Sequence, residues 1–135
     1  MKIAVAGVGY VGLVTAVTLA DVGHDVICLD VDKGKLKMLK EGISPIYEYG
    51  LEELMLKNRE RLEFTDDVTK YSEAQVIIIG VGTPEKEDGS ADLSAVFSVA
   101  DSIADNCSDG TVVVVKSTVP IGTCESVRRR IDERR

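Results

Sequence analysis

The sequence predicts an α/β fold: a doubly wound parallel sheet of five strands in the order 3-2-1-4-5, with helices on both faces. Three observations carry that prediction. Strand and helix patterns alternate along the whole chain, as in a succession of βαβ units. The apolar runs Gln75 to Val81 (QVIIIGV) and Thr111 to Val115 are continuous rather than alternating, as expected of parallel strands covered on both faces. The first strand also runs straight into a glycine-rich turn that opens a helix.

Taken in order, MKIAVAGVGYVG at the amino terminus gives a strand of Ile3, Ala4, Val5 and Ala6, followed by the spacing Gly7-x-Gly9-x-x-Gly12. In that spacing the first glycine permits a tight strand-to-helix turn, the second lets backbone approach a pyrophosphate, and the third lets the helix lie close on the sheet. Val11 to Val22 is the helix, closed by Gly23, and Asp25 to Leu29 is a second strand that ends in Asp30. Asp32 to Glu41 reads as a helix stopped by Gly42, and Ser44-Pro45 as a turn. Gly50 to Arg61 places Leu51, Leu54 and Met55 on one helical face; a short strand, Leu62 to Phe64, follows, and Thr65 is the expected cap of the short helix after it. Asp92 is the expected cap of the next helix, whose Leu93, Val96, Phe97, Ala100, Ile103, Ala104 and Cys107 form one apolar stripe. Thr111 to Val115 is the fifth strand, and the chain is helical from Thr123 to its end. Complete folds of this type have a sixth strand, and the helical pattern at Arg135 carries no stop signal. The expectation is a chain truncated before that strand.

At 135 residues the chain suits one domain, 1–135, and is short for a cofactor domain joined to a substrate domain. The net charge of -7 speaks against a nucleic-acid partner, because neutralising a phosphate backbone needs a basic surface. Cys28, Cys107 and Cys124 form no CxxC pair and are odd in number, which suggests free thiols in a reducing compartment; no metal site is expected. No apolar run reaches the roughly 18 residues of a membrane helix, so the expected location is cytoplasmic and away from membranes.

Ligands of such sheets lie outside the carboxyl ends of the strands, where strand order reverses. Gly7, Gly9 and Gly12, with the amino terminus of the first helix, are therefore candidates for holding a dinucleotide pyrophosphate. Asp30, eighteen residues after Gly12, is the candidate acceptor for the adenosine ribose hydroxyls, which favours NAD over NADP because a 2′-phosphate would meet a like charge. At the opposite end, Gly80-Val81-Gly82-Thr83-Pro84 and Lys116-Ser117-Thr118-Val119-Pro120-Ile121-Gly122 bring hydroxyl side chains to the expected nicotinamide end. Tyr10 is expected to cover the pyrophosphate turn or to pack on a neighbouring loop. His24 is assigned a solvated turn remote from the ligand edge, and Glu85 to Gly89 a mobile polar turn. The arginines at 128, 129, 130, 134 and 135 suit a helix carboxyl terminus, as a solvated face or an interdomain contact. Glu48 and Tyr47 border either the mouth of the site or a plain surface loop. Cys28 and Cys107 are expected to be packed. Cys124 competes as a thiol at a helix amino terminus, but it shares a face with Val127 and Ile131, so core packing is preferred.

GVGYVG, the Asp30-x-Asp32 strand end with Lys35 beyond it, SPIYEYGLEEL at 44–54, VGTP with DGSADLS downstream, and KSTVPIGT together resemble the UDP-glucose 6-dehydrogenase family and, more broadly, nucleotide-sugar dehydrogenases. The similarity runs the length of the chain in order; Tyr49 departs from the proline common in the family's YEPGL segment. The resemblance implies a Rossmann-like NAD-binding domain and two-step, NAD-dependent oxidation of a sugar C6 alcohol to a carboxylate through a thiol-bound intermediate. It implies Val11, Asp30, Lys35, Thr83 and Thr118 as cofactor-binding positions, beside the Tyr10 candidate read from the glycine turn, with Thr118 also close to the reacting carbon in a supporting catalytic role. It further implies that the catalytic cysteine, most of the nucleotide-sugar site (UDP-glucose foremost) and the dimerisation domain of a homodimer lie outside residues 1–135. Two other classes stay open at this point: a 6-phosphogluconate or 3-hydroxyacid type dehydrogenase, which KSTVPIGT and PIYEYGLEEL disfavour, and a non-catalytic NAD-binding module.

Overall fold

The computed structural model describes residues 1–135 as a five-stranded, all-parallel sheet in the order β3-β2-β1-β4-β5. The strands are β1 (Lys2–Ala6), β2 (Asp25–Leu29), β3 (Leu62–Thr65), β4 (Val76–Ile79) and β5 (Val112–Val115). The helices are α1 (Tyr10–Asp21), α2 (Lys33–Lys40), α3 (Leu51–Lys57), α4 (Ser94–Asn106) and α5 (Thr123–Arg134), with short 3-10 turns at Arg59–Arg61 and Val68–Glu73. The expected strand order is the observed one. The expected helix over Gly50 to Arg61 divides at Asn58, whose amide donates to the Asp21 carboxylate at 3.0 Å and to the Leu54 carbonyl at 2.9 Å. That side chain replaces helical continuation with a tie to α1.

Alternate residues of each strand supply two cores. On one face Ile3, Val5, Val26 and Cys28 pack under Leu13, Ala16 and Val17 of α1 and Met55 of α3. On the other, Ala4, Ala6, Ile27, Leu29, Ile77 and Ile79 pack under Tyr71, under Val96, Ala100 and Ile103 of α4, and against Val127 of α5. The crossovers therefore divide at β1: α1 and α3 lie on one side, α4 and α5 on the other, so the connections leaving the paired carboxyl ends of β1 and β4 run to opposite faces and leave a crevice between them.

Several local expectations change. Thr65 is not the cap of the short helix; Asp67 is, accepting from the Thr69 N–H at 3.0 Å, while Thr65 Oγ1 accepts from the Asp67 N–H. Asp92 likewise accepts from the Ser94 N–H one step before α4, whose cap position is Leu93. β5 is not a buried strand. Val112 and Val114 are 57% and 42% exposed, because β5 is the sheet edge and no helix lies over that face of it. Glu85 to Gly89 forms a closed hairpin rather than a loose turn: the Lys86 N–H donates to the Ser90 carbonyl and the Asp92 N–H to the Pro84 carbonyl, both at 2.7 Å. Gly89, at φ 88°, supplies its left-handed corner.

Of the five arginines, Arg128 and Arg129 are exposed as expected of a solvated face, whereas Arg130, Arg134 and Arg135 are paired with carboxylates across the helix interface. Arg130 and Arg134 each grip a carboxylate of α4 through two nitrogens, Asp101 at 2.7 and 3.1 Å and Asp105 at 3.1 and 2.7 Å, and Arg135 reaches Asp109 at 2.7 Å. Arginines and aspartates four residues apart on adjacent helices meet rung by rung, which orients α5 on α4. His24 is half-buried rather than solvated, with Nδ1 enclosed and unpaired at the end of the sheet opposite the crevice. Cys28 is buried as expected, and burial pushes its thiol up to about 12. Cys107 is half-buried beside Arg135. Cys124 is exposed, not packed: it sits in the first turn of α5, at the rim of a groove against β5.

Candidate cofactor site

The glycine turn is built by backbone contact. Gly7 adopts φ 106°, and a Cβ placed there would sit 2.9 Å from the Gly80 carbonyl oxygen. A Cβ on Gly12 would fall 2.0 Å from the Gly7 carbonyl oxygen, and one on Gly80 3.2 Å from the Gly12 Cα. Gly80 thus lies tightly against the turn, close enough that a side chain there would press on Gly12. It was overlooked because it follows β4, 68 residues from Gly12, where only the sheet order brings the two together. Gly9 differs: a Cβ there would meet nothing within 4 Å, so it faces open space at the mouth of the crevice.

α1 starts at Gly9 with no side-chain cap. The N–H groups of Tyr10, Val11 and Gly12 take no partner in the chain, and they follow directly on Gly9, beside which there is open space. Uncapped donors at the positive end of a helix beside an open glycine fit an anionic pyrophosphate.

Asp30, at the end of β2, has a second task that the sequence did not disclose. Its Oδ2 accepts from the Val8 N–H and its Oδ1 from the Asp32 N–H, both at 2.9 Å. The carboxylate therefore fastens the glycine turn to the β2 end, and each oxygen keeps a lone pair for a further donor. Beside it lies a cleft of about 220 Å³, bordered by Asp30, Val31, Asp66, Val68, Tyr71 and the Ala95–Val99–Ser102 face of α4. Tyr71 forms its floor; burial and then the neighbouring Asp30 charge hold its phenol above the usual range. An apolar slot next to a carboxylate with lone pairs to spare has the chemistry an adenosine would require. Tyr71, Ser98 and Val99 escaped the sequence reading, since each sits in an ordinary core or helix pattern.

Lys35 lies in the first turn of α2, where its N–H donates to the capping Asp32 at 3.1 Å, and its side chain is half-buried. Tyr10 is more than half exposed and turned to the 44–50 loop, where a hydrogen bond and the charge of Glu48 raise its phenol pKa. Of the two expectations for Tyr10, packing on a neighbouring loop is the one observed. Tyr47 and Tyr49 are fully exposed in that loop.

On the far side of the crevice the loops after β4 and β5 are tied to each other. Thr83 Oγ1 donates to the Thr118 carbonyl at 2.9 Å, and Ser117 Oγ donates to the Val81 carbonyl at 2.7 Å. Thr83 and Thr118, 35 residues apart, are thereby neighbours. Gly7, Gly9, Gly12 and Asp30 gather at the ends of β1 and β2, and Thr83 and Thr118 beyond the ends of β4 and β5, on the two sides of the point where strand order reverses.

The family of UDP-glucose/GDP-mannose dehydrogenase NAD binding domains matches residues 1–135. The chain belongs to this family. Its sequence is 52% identical over 137 residues to UDP-glucose 6-dehydrogenase of Rhizobium meliloti, covering 98% of this chain and 31% of the relative. To the UDP-glucose 6-dehydrogenase YwqF of Bacillus subtilis it is 48% identical over 136 residues, again covering 98% and 31%. Its fold superimposes on a ternary complex of GDP-mannose dehydrogenase from Pseudomonas aeruginosa with a TM-score of 0.93 and 38% identity, over 99% of this chain and 32% of the other. The chain thus spans about a third of the length of these relatives. NAD is the cofactor of the family, and the oxidoreductase type and Rossmann-like fold expected from the motifs agree with it. No helix is long and apolar enough to cross a membrane.

Proposed function

We propose that this chain binds NAD along the crevice, with adenine in the Tyr71 slot, the ribose diol on Asp30, the pyrophosphate at Gly7, Gly9 and the Tyr10–Gly12 amides, and nicotinamide between Thr83 and Thr118. Lys35 borders the adenosine end. The observation that carries this reading is the Asp30 carboxylate, pinned by two backbone N–H groups between an apolar slot and an uncapped helix start. Bound there, NAD supplies the hydride acceptor. The chain's own groups orient it and, by the negative charge at Asp30, disfavour a 2′-phosphate.

The names of the relatives support a role in oxidising C6 of a nucleotide sugar, UDP-glucose foremost; the proposal extends to a cytoplasmic enzyme that works as a homodimer, with Thr118 near the reacting carbon. Residues 1–135 are the cofactor domain of that enzyme. Its thiol nucleophile is none of the three cysteines here: Cys28 is buried under α1, Cys107 closes α4, and Cys124 lies in α5 beyond the Thr118 loop. The chain alone binds NAD and yields no NADH from UDP-glucose, since only half of the reacting geometry is present.

Calorimetric titration tests the reading. NAD should bind more tightly than NADP, and Asp30→Ala should weaken NAD at least about tenfold, the worth of a charge-assisted hydrogen bond. Equal affinities for the two cofactors would overturn it.

A further inference from the structure

The two loops that face the nicotinamide end are joined by hydroxyl bonds running in opposite directions. Thr83, on the β4 loop, donates to the backbone of the β5 loop at the Thr118 carbonyl (2.9 Å); Ser117, on the β5 loop, donates to the backbone of the β4 loop at the Val81 carbonyl (2.7 Å). The Ser117 N–H also reaches the Ile79 carbonyl at 3.2 Å, beside that of Lys116 at 2.8 Å, so the β5 loop leaves the sheet still attached to β4. On the other flank, the Pro84 carbonyl is held by the Asp92 N–H.

Carbonyl oxygens only accept, so the direction of both hydroxyl bonds is fixed by chemistry. This has two consequences. Ser117 is half-buried and aimed into the protein, while Thr118, the next residue, is exposed. Ser117 thus sets where Thr118 stands without itself facing the crevice. Thr83 has spent its only proton on Thr118, and what its hydroxyl retains is lone pairs.

We infer that Ser117 is a positioning residue of the nicotinamide end, and that the reciprocal latch makes Thr83 solely an acceptor there, matched to an N–H donor such as the amide of a carboxamide. The inference rests on the proposed placement of NAD and adds to it the hydrogen-bonding sense of the subsite. A carboxamide presents both a donor and an acceptor; a latch with Thr83 as acceptor selects the orientation that directs the amide N–H groups to the β4 loop.

Titration calorimetry on this chain, with NAD, ADP-ribose and acetylpyridine adenine dinucleotide as probes, tests it. ADP-ribose lacks the nicotinamide, and the acetylpyridine analogue replaces the carboxamide NH₂ with a methyl group. Ser117→Ala should weaken NAD about fivefold, as expected for one lost hydrogen bond, and leave ADP-ribose unchanged; Ser117→Thr, which keeps the hydroxyl, should restore NAD binding. Thr83→Val should weaken NAD by a similar factor and the acetylpyridine analogue distinctly less, because both ligands lose the latch but only NAD has an amide proton to lose. Equal losses for NAD and ADP-ribose in Ser117→Ala would assign Ser117 to the general fold and overturn the positioning role. Equal losses for NAD and the analogue in Thr83→Val would overturn the acceptor role. Failure of the unaltered chain to bind NAD or ADP-ribose would remove the underlying placement, and is seen before any variant is made.

Discussion

The two halves of the crevice are held by different means. At the β1–β2 half, glycines in van der Waals contact and an aspartate that binds two backbone N–H groups form a turn with no room for a side chain at Gly7 or Gly12, over strands buried on both faces. At the β4–β5 half, two loops are latched by side-chain hydroxyls, beside an edge strand whose Val112 and Val114 look outward. The first half is rigid because backbone geometry allows nothing else. The second is held by single hydrogen bonds, each worth about 1 kcal/mol, and is correspondingly easy to perturb.

The glycines test that contrast most severely. Gly12→Val places Cβ 2.0 Å from a backbone oxygen that cannot move independently, and should cost more than about 4 kcal/mol in thermal or denaturant unfolding, abolishing NAD binding with the fold. Gly9→Ala meets no atom within 4 Å, at φ -73°. It should leave stability within about 0.5 kcal/mol and still weaken NAD by about an order of magnitude, because its methyl enters the space of the proposed pyrophosphate site. A large stability loss in Gly9→Ala would show that this glycine serves the turn and not the ligand.

A second pair compares the same side chain in the two halves. Val5, in β1, is fully buried between α1 and the sheet, so Val5→Thr buries a hydroxyl there and should cost roughly 1–3 kcal/mol. Val114→Thr, on the exposed side of β5, should change stability by less than about 0.5 kcal/mol. Comparable losses measured by urea unfolding would mean that Val114 is covered in solution.

The smallest effect concerns the helices above β5. Hydrogen bonds from Arg130 and Arg134 hold the carboxyls of Asp101 and Asp105 below their ordinary pKa. A lowered folded-state pKa contributes stability that is present at neutral pH and is lost as pH falls through it, below about 4. Asp101→Asn with Asp105→Asn should lower Tm slightly at pH 7, with the difference from the parent shrinking on acidification. A difference independent of pH would place the effect in helix packing rather than in the ion pairs.

Sheet order, the glycine turn, Asp30 and the two threonine loops were legible in the sequence because each rests on local pattern: periodicity of apolar residues, glycine spacing, and an acid at a strand end. The exposure of β5 was not, since a run of four valines reads the same at the edge of a sheet as at its centre. The solvation assigned to His24, the packing assigned to Cys124 and the free face assigned to Arg130, Arg134 and Arg135 failed for a related reason. Each depends on what lies opposite, and Asp101, Asp105 and Asp109 come opposite Arg130, Arg134 and Arg135 only after α4 and α5 have packed.

The sequence by itself determined the doubly wound order and one end of the crevice, because a glycine that must turn and an apolar strand that must be buried act over a few residues. Only the tertiary structure decided that Gly80 lies against the glycine turn, that Asp30 holds that turn as well as facing the cleft, and that Ser117 and Thr83 lock the opposite end. These contacts join residues 22 to 73 positions apart, and their partners are mostly backbone atoms, which every residue possesses and no side-chain pattern marks.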